Sequence, residues 1–269
     1  MTLRLISLNA WGGRVHEPLM RYLRQADPDV LCLQEVTHVE AAETGWLVFR
    51  EGDFELPQRA SLYEDVKAIL PAHNAFFAPA ACGPLHDGDR AVMSQWGLAT
   101  FVRRDLPVIG QAQGFIHGDF PLSGFGEHPR PRNAHGIRIF RHDRGSAVTI
   151  VQLHGLRDLA GKGDTPARLA QAHAIVRLVE KVRQPGDGLV VCGDFNLMPD
   201  SETFAILAGI GLTDLVTTRG FTDTRTSWYP KEGRHADYLL VTPEVKVERF
   251  EVVAEPEVSD HRALLLEIG

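Results

Sequence analysis

The sequence lacks several features that would assign its 269 residues to a protein class at once. It has no apolar run long enough to cross a bilayer, although 44% of its residues are hydrophobic. We therefore expect a soluble globule rather than a membrane protein or a disordered chain. Its three cysteines, Cys32, Cys82 and Cys192, are odd in number and far apart. This predicts reduced core thiols and no disulfide framework.

Positive charge is also scarce, because 28 Lys and Arg stand against 35 Asp and Glu, giving a formal net charge of −7. The overall electrostatic field repels nucleic acids and acidic membranes, so a site that binds phosphate needs positive charge placed locally. The first nine residues are more typical of a strand than of a signal peptide, and no basic amphipathic segment suits a membrane surface. We expect a monomeric, cytoplasmic protein that does not insert into membranes.

Four common catalytic signatures are missing as well. The nearest approach to a P-loop has five residues between Gly155 and Gly161 rather than four, and it lacks the final Ser or Thr. Pro129 stands where a dinucleotide fingerprint starting at Gly124 needs a third glycine. No G-x-S-x-G elbow occurs, and no two of the 12 histidines have the i, i+4 spacing of a helical zinc site. These absences disfavour nucleotide cofactors, a serine nucleophile and catalytic zinc.

Apolar patterns predict strands and helices mixed along one undivided chain. Strands are expected at residues 3–9, 30–33, 75–78, 98–102, 136–140, 147–153, 189–192, 236–241, 245–253 and 263–268. Helices are expected at residues 18–25, 58–70, 165–182 and 200–207. The second part of residues 80–135 is predicted as a long loop carrying His128, Arg130 and Arg132. No repeat or Pro/Ser-rich linker interrupts the pattern, so we expect a single domain over residues 1–269.

Polar side chains recur where the apolar strands end or begin. They are Asn9, Glu35, His154, Asp194 with Asn196, Asp237, and Asp260 with His261. Strand ends on one side of a sandwich converge at one rim, so these residues can meet in a single cleft. Oxygen ligands such as Glu35 and Asp260, with the carboxamide of Asn9, suit Mg²⁺ or Mn²⁺ completed by a substrate phosphate.

Each of these residues also has a purely structural interpretation. Asn9 can form a turn, Glu35 can be a solvated charge at the rim, and Asp260 can cap the entry to the last strand. Asp194 and Asn196 can shape a turn, and isolated histidines are commonly ordinary hydrogen-bonded residues. These interpretations do not predict that all of them fall at strand ends in this order, so their joint occurrence favours a catalytic site.

The ordered motifs resemble the endonuclease/exonuclease/phosphatase superfamily, which includes DNase I, exonuclease III, neutral sphingomyelinases and inositol polyphosphate 5-phosphatases. The matching pieces are Leu8-Asn9, Leu33-Gln34-Glu35, Leu153-His154, Gly193-Asp194-Phe195-Asn196, Ala236-Asp237-Tyr238 and Ser259-Asp260-His261. They span residues 8–261 in family order. The resemblance implies an α/β fold, a four-layer α/β/β/α sandwich of two mixed β-sheets, with the active site at one rim.

The resemblance also implies a role for each residue. Glu35 would bind the metal, with Asn9 and Asp260 in or next to its coordination shell. His261, held in its tautomer by Asp237, would activate water or contact the phosphate as a charged donor. Asp194 would orient the water or take its proton, and Asn196 would donate to a non-bridging phosphate oxygen. His154 would stabilise the transition state from another side.

A bacterial branch of the superfamily is similar around His154-Gly155-Leu156, Gly161–Pro166, Arg168, Gln171 and Thr224–Ser227. Arg157 and Lys162 are candidates to reach a substrate phosphate, although both can be solvent-facing loop charges. Trp228 can stack a base or simply pack against the rim.

We expect a phosphate-ester substrate, either a small molecule or a nucleic acid. A nuclease and a catalytically idle module that binds a phosphorylated ligand stay open as alternatives. Lipid headgroups are the least supported substrates. An abasic-site repair activity like that of exonuclease III is less well supported, because Val36-Thr37-His38 follows Glu35, where those enzymes usually have a lysine nearby.

Overall fold

Two β-sheets packed face to face form the centre of the protein. The structure is a computed structural model that describes residues 2–40 and 42–269. Its strands are β1 (Leu3–Asn9), β2 (Val30–His38), β3 (Trp46–Glu51), β4 (Phe54–Arg59), β5 (His73–Asp87), β6 (Arg90–Arg103), β7 (Val108–His117), β8 (Arg132–Arg141), β9 (Ser146–His154), β10 (Gly188–Asp194), β11 (Thr213–Asp214), β12 (Asp237–Val241), β13 (Val247–Val252) and β14 (Leu264–Ile268). Within the described residues, one sheet has the order β13-β14-β1-β2-β6-β5-β3-β4 and the other β11-β12-β10-β9-β8-β7.

Helices cover the outer faces of the two sheets. They are α1 (His16–Ala26), α2 (Leu62–Ile69), α3 (Pro166–Val182), α4 (Glu202–Ala208) and α5 (Leu215–Thr218). Leu19 of α1 and Leu62 of α2 share a buried cluster with Leu33 of the larger sheet. Ile175 of α3 packs with the residues of the smaller sheet. The predicted four-layer α/β/β/α sandwich is thereby confirmed.

Strand β1 shows why the central strands are apolar on both faces. Leu3 and Leu5 belong to the cluster between the two sheets, whereas Ile6 and Leu8 belong to the cluster under α1 and α2. Successive side chains of a strand point to opposite faces, so a strand covered on both sides needs apolar residues at nearly every position. The strand ends at Asn9, where the polar residues of the site begin.

The prediction of a helix over residues 58–70 is wrong at its start. Residues up to Arg59 belong to β4, which pairs with β3 in a hairpin that the sequence patterns did not reveal. Gly52 has a positive φ of 57° at the tip of this hairpin, a conformation that favours glycine. Helix α2 therefore begins only at Leu62.

The long loop predicted for the second part of residues 80–135 is only partly correct, because β7 and the start of β8 lie within it. The first part forms a long hairpin of β5 and β6, of which the sequence predicted only short pieces. Prolines are tolerated in β5 because it pairs with β3 only at Val48 and His86, so most of its outer edge is free. Gly97 allows the close approach of the two strands, since a Cβ there would lie 2.2 Å from the Ala78 carbonyl oxygen. Residues 118–131 remain as the loop.

The cysteines and the helices bear on two further predictions. Cys32 and Cys192 are buried, whereas Cys82 is only half-buried, so the expectation of three core thiols is wrong for Cys82. All three are described and none forms a disulfide. In the part of the chain that the structure describes, no helix is both long and apolar enough to span a membrane.

Candidate active site

The strand ends predicted from the sequence meet at one rim of the sandwich. In the smaller sheet Asp194 lies directly between His154 of β9 and Asp237 of β12 in the strand register. In the larger sheet Asn9 of β1 pairs with Gln34 of β2, next to Glu35. The Asn9 amide donates from Nδ2 to Asp194 Oδ2 over 3.0 Å, which joins the two sheets across the rim.

Irregular backbone turns two of these side chains into the cleft. The pairing of β2 with β6 shifts register between Leu33 and Val36, and Glu35 inside this bulge has a φ of 54°. Asn196 also has a φ of 54°. Bulges and left-handed residues other than glycine concentrate at functional sites, where they redirect a side chain.

Two glycines let the chain pass closely beneath the site. A Cβ on Gly193, whose φ is +136°, would lie 2.0 Å from the Leu153 carbonyl oxygen. A Cβ on Gly155 would lie 2.4 Å from the Phe195 carbonyl oxygen. No larger residue fits at either position without moving backbone, so both glycines fix how His154 and Asp194 are presented.

His261 and Asp237 form a buried pair. His261 Nδ1 lies 2.9 and 2.8 Å from the two Asp237 oxygens. An ionised carboxylate only accepts hydrogen bonds, so with Asp237 ionised Nδ1 donates, and the lone pair of Nε2 accepts from Arg225 Nη1. Burial, followed by the charge of Arg225, lowers the pKa of His261 to about 4. Burial raises the pKa of Asp237 to about 7. The imidazole is therefore held neutral, in the tautomer a general base requires.

Carboxylates crowd the cleft next to this pair. Burial, and then the charges of Asp260 and Asp194, raise the pKa of Glu35 to about 7. His154 Nε2 lies 3.9 Å from Glu35 Oε1 and 3.7 Å from Asp194 Oδ2. Burial lowers the pKa of His154 well below its usual value, so this imidazole adds no positive charge. Crowded hard oxygen atoms whose repulsion a cation would relieve fit a divalent ion such as Mg²⁺ or Mn²⁺.

The donor atoms suited to a cation differ in part from those predicted. Asp194, Asp237 and His261 form a compact group with ligand atoms within 4.8 Å of one another. Its Asp237–His261 contact already serves as a hydrogen bond, however. Asn9 Oδ1 accepts the Trp11 backbone N–H over 3.0 Å, which engages one of its two lone pairs. Asn9 is placed to orient the carboxylates.

Two arginines that the sequence analysis did not select line the same cleft. Arg225 is 5% exposed, its Nη1 donates to Asp260 Oδ2 over 2.9 Å, and it also contacts His261 Nε2. Arg132 donates from Nε to the Gly155 carbonyl oxygen. Burial lowers the pKa of Arg132 to about 10, despite the nearby charges of Glu35 and Asp194. The only sequence signal was indirect, namely the Thr224–Ser227 similarity and the basic loop before β8.

The three predicted substrate-binding residues all line this cleft, which has a volume of about 1100 Å³. Arg157 is exposed. Trp228 is 53% exposed, with its ring centroid 6.3 Å from that of Trp11. Lys162 donates to the carbonyl oxygens of Gly233 and His235, which ties two loops of the cleft together. Burial, followed by the charge of Arg225, lowers the pKa of Lys162 to about 8.

Comparison with known protein families agrees with this geometry. The model of the Endonuclease/Exonuclease/phosphatase family matches residues 6–261, which include every site residue named above. The chain belongs to this family. Hydrolases of the Endonuclease/Exonuclease/phosphatase family act on phosphoester bonds.

Two solved structures share the fold of this chain, and one curated protein is similar to it in sequence. An endonuclease/exonuclease/phosphatase from Bacteroides vulgatus is 19% identical, with a TM-score of 0.71 over 100% of this chain and 99% of that one. The mannosyl-6-phosphatase Bt3783 of Bacteroides thetaiotaomicron is 17% identical, with a TM-score of 0.68 over 99% of each chain. The inositol phosphosphingolipids phospholipase C of Schizosaccharomyces pombe is 25% identical over 247 residues, 87% of this chain and 48% of that protein. The chain thus spans about half the length of this curated relative.

Proposed function

We propose that this protein is a divalent-metal-dependent phosphoesterase that hydrolyses a phosphodiester or a phosphomonoester with water. The observation that carries the proposal is the rim itself. A neutral, oriented His261–Asp237 pair lies next to a cluster of carboxylates. The distance from His261 Nε2 to Asp194 Oδ2 is 3.7 Å. A general base beside oxygen ligands for a hard cation is the equipment that metal-assisted phosphoester hydrolysis requires.

Glu35 and Asp260, with Asp194 beside them, would hold Mg²⁺ or Mn²⁺, and Asn9 would orient these carboxylates. When bound, such an ion polarises a phosphoryl oxygen and offsets the negative charge that develops during the reaction. Within the chain, Arg225 Nη1 releases His261 Nε2, which then takes a proton from the attacking water, and Asp237 stabilises the imidazolium that results. The lowered pKa of His261 supports this role over that of a charged phosphate donor.

The remaining polar residues act on the phosphoryl group and on the water. Asp194 orients the water, Asn196 donates to a non-bridging oxygen, and His154 stabilises the transition state from the other side. Arg225 and Arg132 bring positive charge to the cleft of a protein whose net charge is −7. This is the local positive charge that a phosphate substrate needs. Arg157, Lys162 and Trp228 stay predicted substrate contacts at its edge.

The test is hydrolysis of bis-(p-nitrophenyl) phosphate and p-nitrophenyl phosphate with Mg²⁺ or Mn²⁺. We expect turnover that EDTA abolishes and that Glu35→Gln and His261→Gln each lower by a factor of about 10² or more. The matched control is Glu180→Gln, because Glu180 is exposed on α3, outside the cleft. Absence of metal-dependent turnover of any phosphate ester, by protein that is folded, would overturn the proposal.

Two alternatives are kept for the same cleft. A nuclease acting on DNA or RNA ends is compatible with the site, but no observation favours it, and an idle binding module would bind ligands unchanged after Glu35→Gln.

A phosphodiesterase acting on an amphiphile gains support from the phosphosphingolipid phospholipase C relative and from the apolar part of the cleft. This revises the low rank given to lipid headgroups from sequence. A monomeric, cytoplasmic enzyme stays a prediction, to be checked by gel filtration and cell fractionation.

A further inference from the structure

The cleft extends well beyond the residues that the proposed chemistry uses. On one side it is lined by Phe49 of β3, Leu56 of β4, Leu85 of β5 and Phe125 of the loop after β7, which we call the apolar wall. Resting on the proposed phosphoesterase function, we propose that this wall is a subsite for an alkyl chain. The substrate is then an amphiphilic phosphoester, with its phosphoryl group at His261 and its chain along the wall.

The apolar wall is supported from beneath by a small core of its own. Leu85 is 1% exposed and forms a buried cluster with Val39, Leu47 and Ala60, against which Phe49 and Phe125 pack. The Phe49 and Phe125 rings meet edge to face, with centroids 5.5 Å apart. A wall held by its own core is already in place before a ligand arrives, so a ligand covers apolar surface with little ordering of the protein.

The apolar wall and the catalytic rim belong to one continuous cleft of about 1100 Å³. A phosphoryl group occupies only a small part of such a volume, which is at the upper end of the range for small-molecule pockets. Trp96 lines the same cleft beside the catalytic rim, with its ring centroid 5.3 Å from that of His154 and 5.2 Å from the Arg132 guanidinium carbon. A phosphate near Arg132 would therefore have the indole of Trp96 beside it.

Three of the aromatic rings that line the cleft, Phe49, Trp96 and Trp11, favour an alkyl chain over a nucleobase. A base needs an open ring face on which to stack. Guanidinium groups already lie over Phe49, Trp96 and Trp11, with carbon-to-centroid distances of 5.3, 5.2 and 4.4 Å. Phe49 also meets two neighbouring rings edge-on. Leu56 and Leu85 have no ring at all, and a flexible chain can follow such a mixed surface where a flat base cannot.

The rim offers the chain an apolar way in. Phe54 next to the hairpin turn is 56% exposed, and Leu159 on the other side of the cleft is 71% exposed. Large apolar side chains exposed around a cleft are typical of sites for apolar ligands or lipid surfaces. Phe54 also meets Phe49 of the apolar wall, with ring centroids 6.5 Å apart, so exposed apolar surface adjoins the wall.

The experiment measures kcat/KM for p-nitrophenyl methyl, butyl and octyl phosphates dissolved below their micelle concentrations, with Mg²⁺ or Mn²⁺. We expect kcat/KM to rise with chain length, by at most about fourfold per methylene that becomes buried. Leu56→Asn and Phe125→Asn should flatten this rise, lowering kcat/KM for the octyl ester more than for the methyl ester. Leu122→Asn is the matched control, because Leu122 lies in the same loop as Phe125, is fully exposed and does not line the cleft.

The outcomes separate this inference from the proposed function. Turnover that does not depend on chain length, or a preference for the p-nitrophenyl ester of thymidine 5′-phosphate over the octyl ester, would overturn the alkyl subsite and leave the phosphoesterase intact. If no ester is hydrolysed, the proposed function fails, and calorimetry with octylphosphonate against methylphosphonate still decides the subsite. Equal affinities overturn it. Comparing the octyl ester in solution and in phosphatidylcholine vesicles distinguishes a dissolved substrate from a lipid.

Discussion

Replacing Gln152 by leucine tests how the two sheets are joined beneath the site. Gln152 of β9 is 1% exposed. Its Oε1 accepts from Gln34 Nε2 over 2.9 Å, and its Nε2 donates to the Ala99 carbonyl oxygen over 2.8 Å and to Thr100 Oγ1 over 2.7 Å. One side chain of the smaller sheet thus binds two strands of the larger one, next to the bulge that carries Glu35.

The expected cost follows from these contacts. Leucine has a similar size but makes none of the three hydrogen bonds, and each contributes a net of about 1 kcal/mol, so we expect unfolding free energy to fall by about 3 kcal/mol. This is a large share of the total stability of a domain, about 5–15 kcal/mol. Gln34 Nε2 would keep only its long contact of 3.4 Å to the Cys32 carbonyl oxygen.

The assay is equilibrium unfolding in urea, followed by fluorescence and circular dichroism, with an unchanged m-value as the sign of an intact fold. The Gln34→Leu, Gln152→Leu double variant should be less destabilised than the sum of the single variants by about 1 kcal/mol, because their shared hydrogen bond can be lost only once. A Gln152→Leu protein whose free energy of unfolding lies within about 0.5 kcal/mol of the parent value would refute the reasoning, because ordinary surface substitutions have effects of about that size.

Three further predictions follow from the geometry. Gly193→Ala should lower the free energy of unfolding by at least about 3 kcal/mol, or Tm by about 6 °C or more, because of the clash and the strained φ. Gly163→Ala should leave both unchanged, because no atom lies within 4 Å of a Cβ there. Burial lowers the pKa of His135 to about 4, so the unfolded chain binds its proton first and stability should fall by up to about 3 kcal/mol from pH 7 to pH 4, less so in His135→Gln. Mg²⁺ or Mn²⁺ at about 100 times its Kd should raise the stability of chelator-treated protein by about 2.7 kcal/mol, and Glu35→Gln should remove this gain.

Each of these has a clear contrary result. Equal melting temperatures for Gly193→Ala and Gly163→Ala would show that the backbone beneath Asp194 yields to a methyl group. The His135 prediction would be contradicted if the free energy of unfolding, measured by urea titration, fell equally with pH in His135→Gln and in the parent. For the third, a metal-induced rise in Tm of the same size in Glu35→Gln would place the cation elsewhere.

Several parts of the fold could be predicted because their signals are local. Strand β1 and helix α3 have the expected bounds within a residue or two, and the Thr165 side chain accepts the Arg168 backbone N–H as a helix start requires. The hairpin β3–β4 and the long pairing of β5 with β6 were missed, because β3 and β4 are largely exposed or half-buried and β5 contains prolines, so neither shows a clear apolar pattern. The open edge of β5 tolerates the prolines that made this region resemble a loop.

The sequence by itself determined which residue types stand at the strand ends, and therefore that carboxylates, carboxamides and histidines would share a rim. Only the tertiary structure decided their orientations. It turned Glu35 inward through a bulge, faced the Asn9 amide nitrogen towards Asp194, and brought Arg225 to Asp260 and His261. It also assembled the apolar wall from three strands and a loop. Patterns of spacing report the face on which a side chain lies, whereas its partners and its charge state depend on long-range packing and on burial, which no short segment contains.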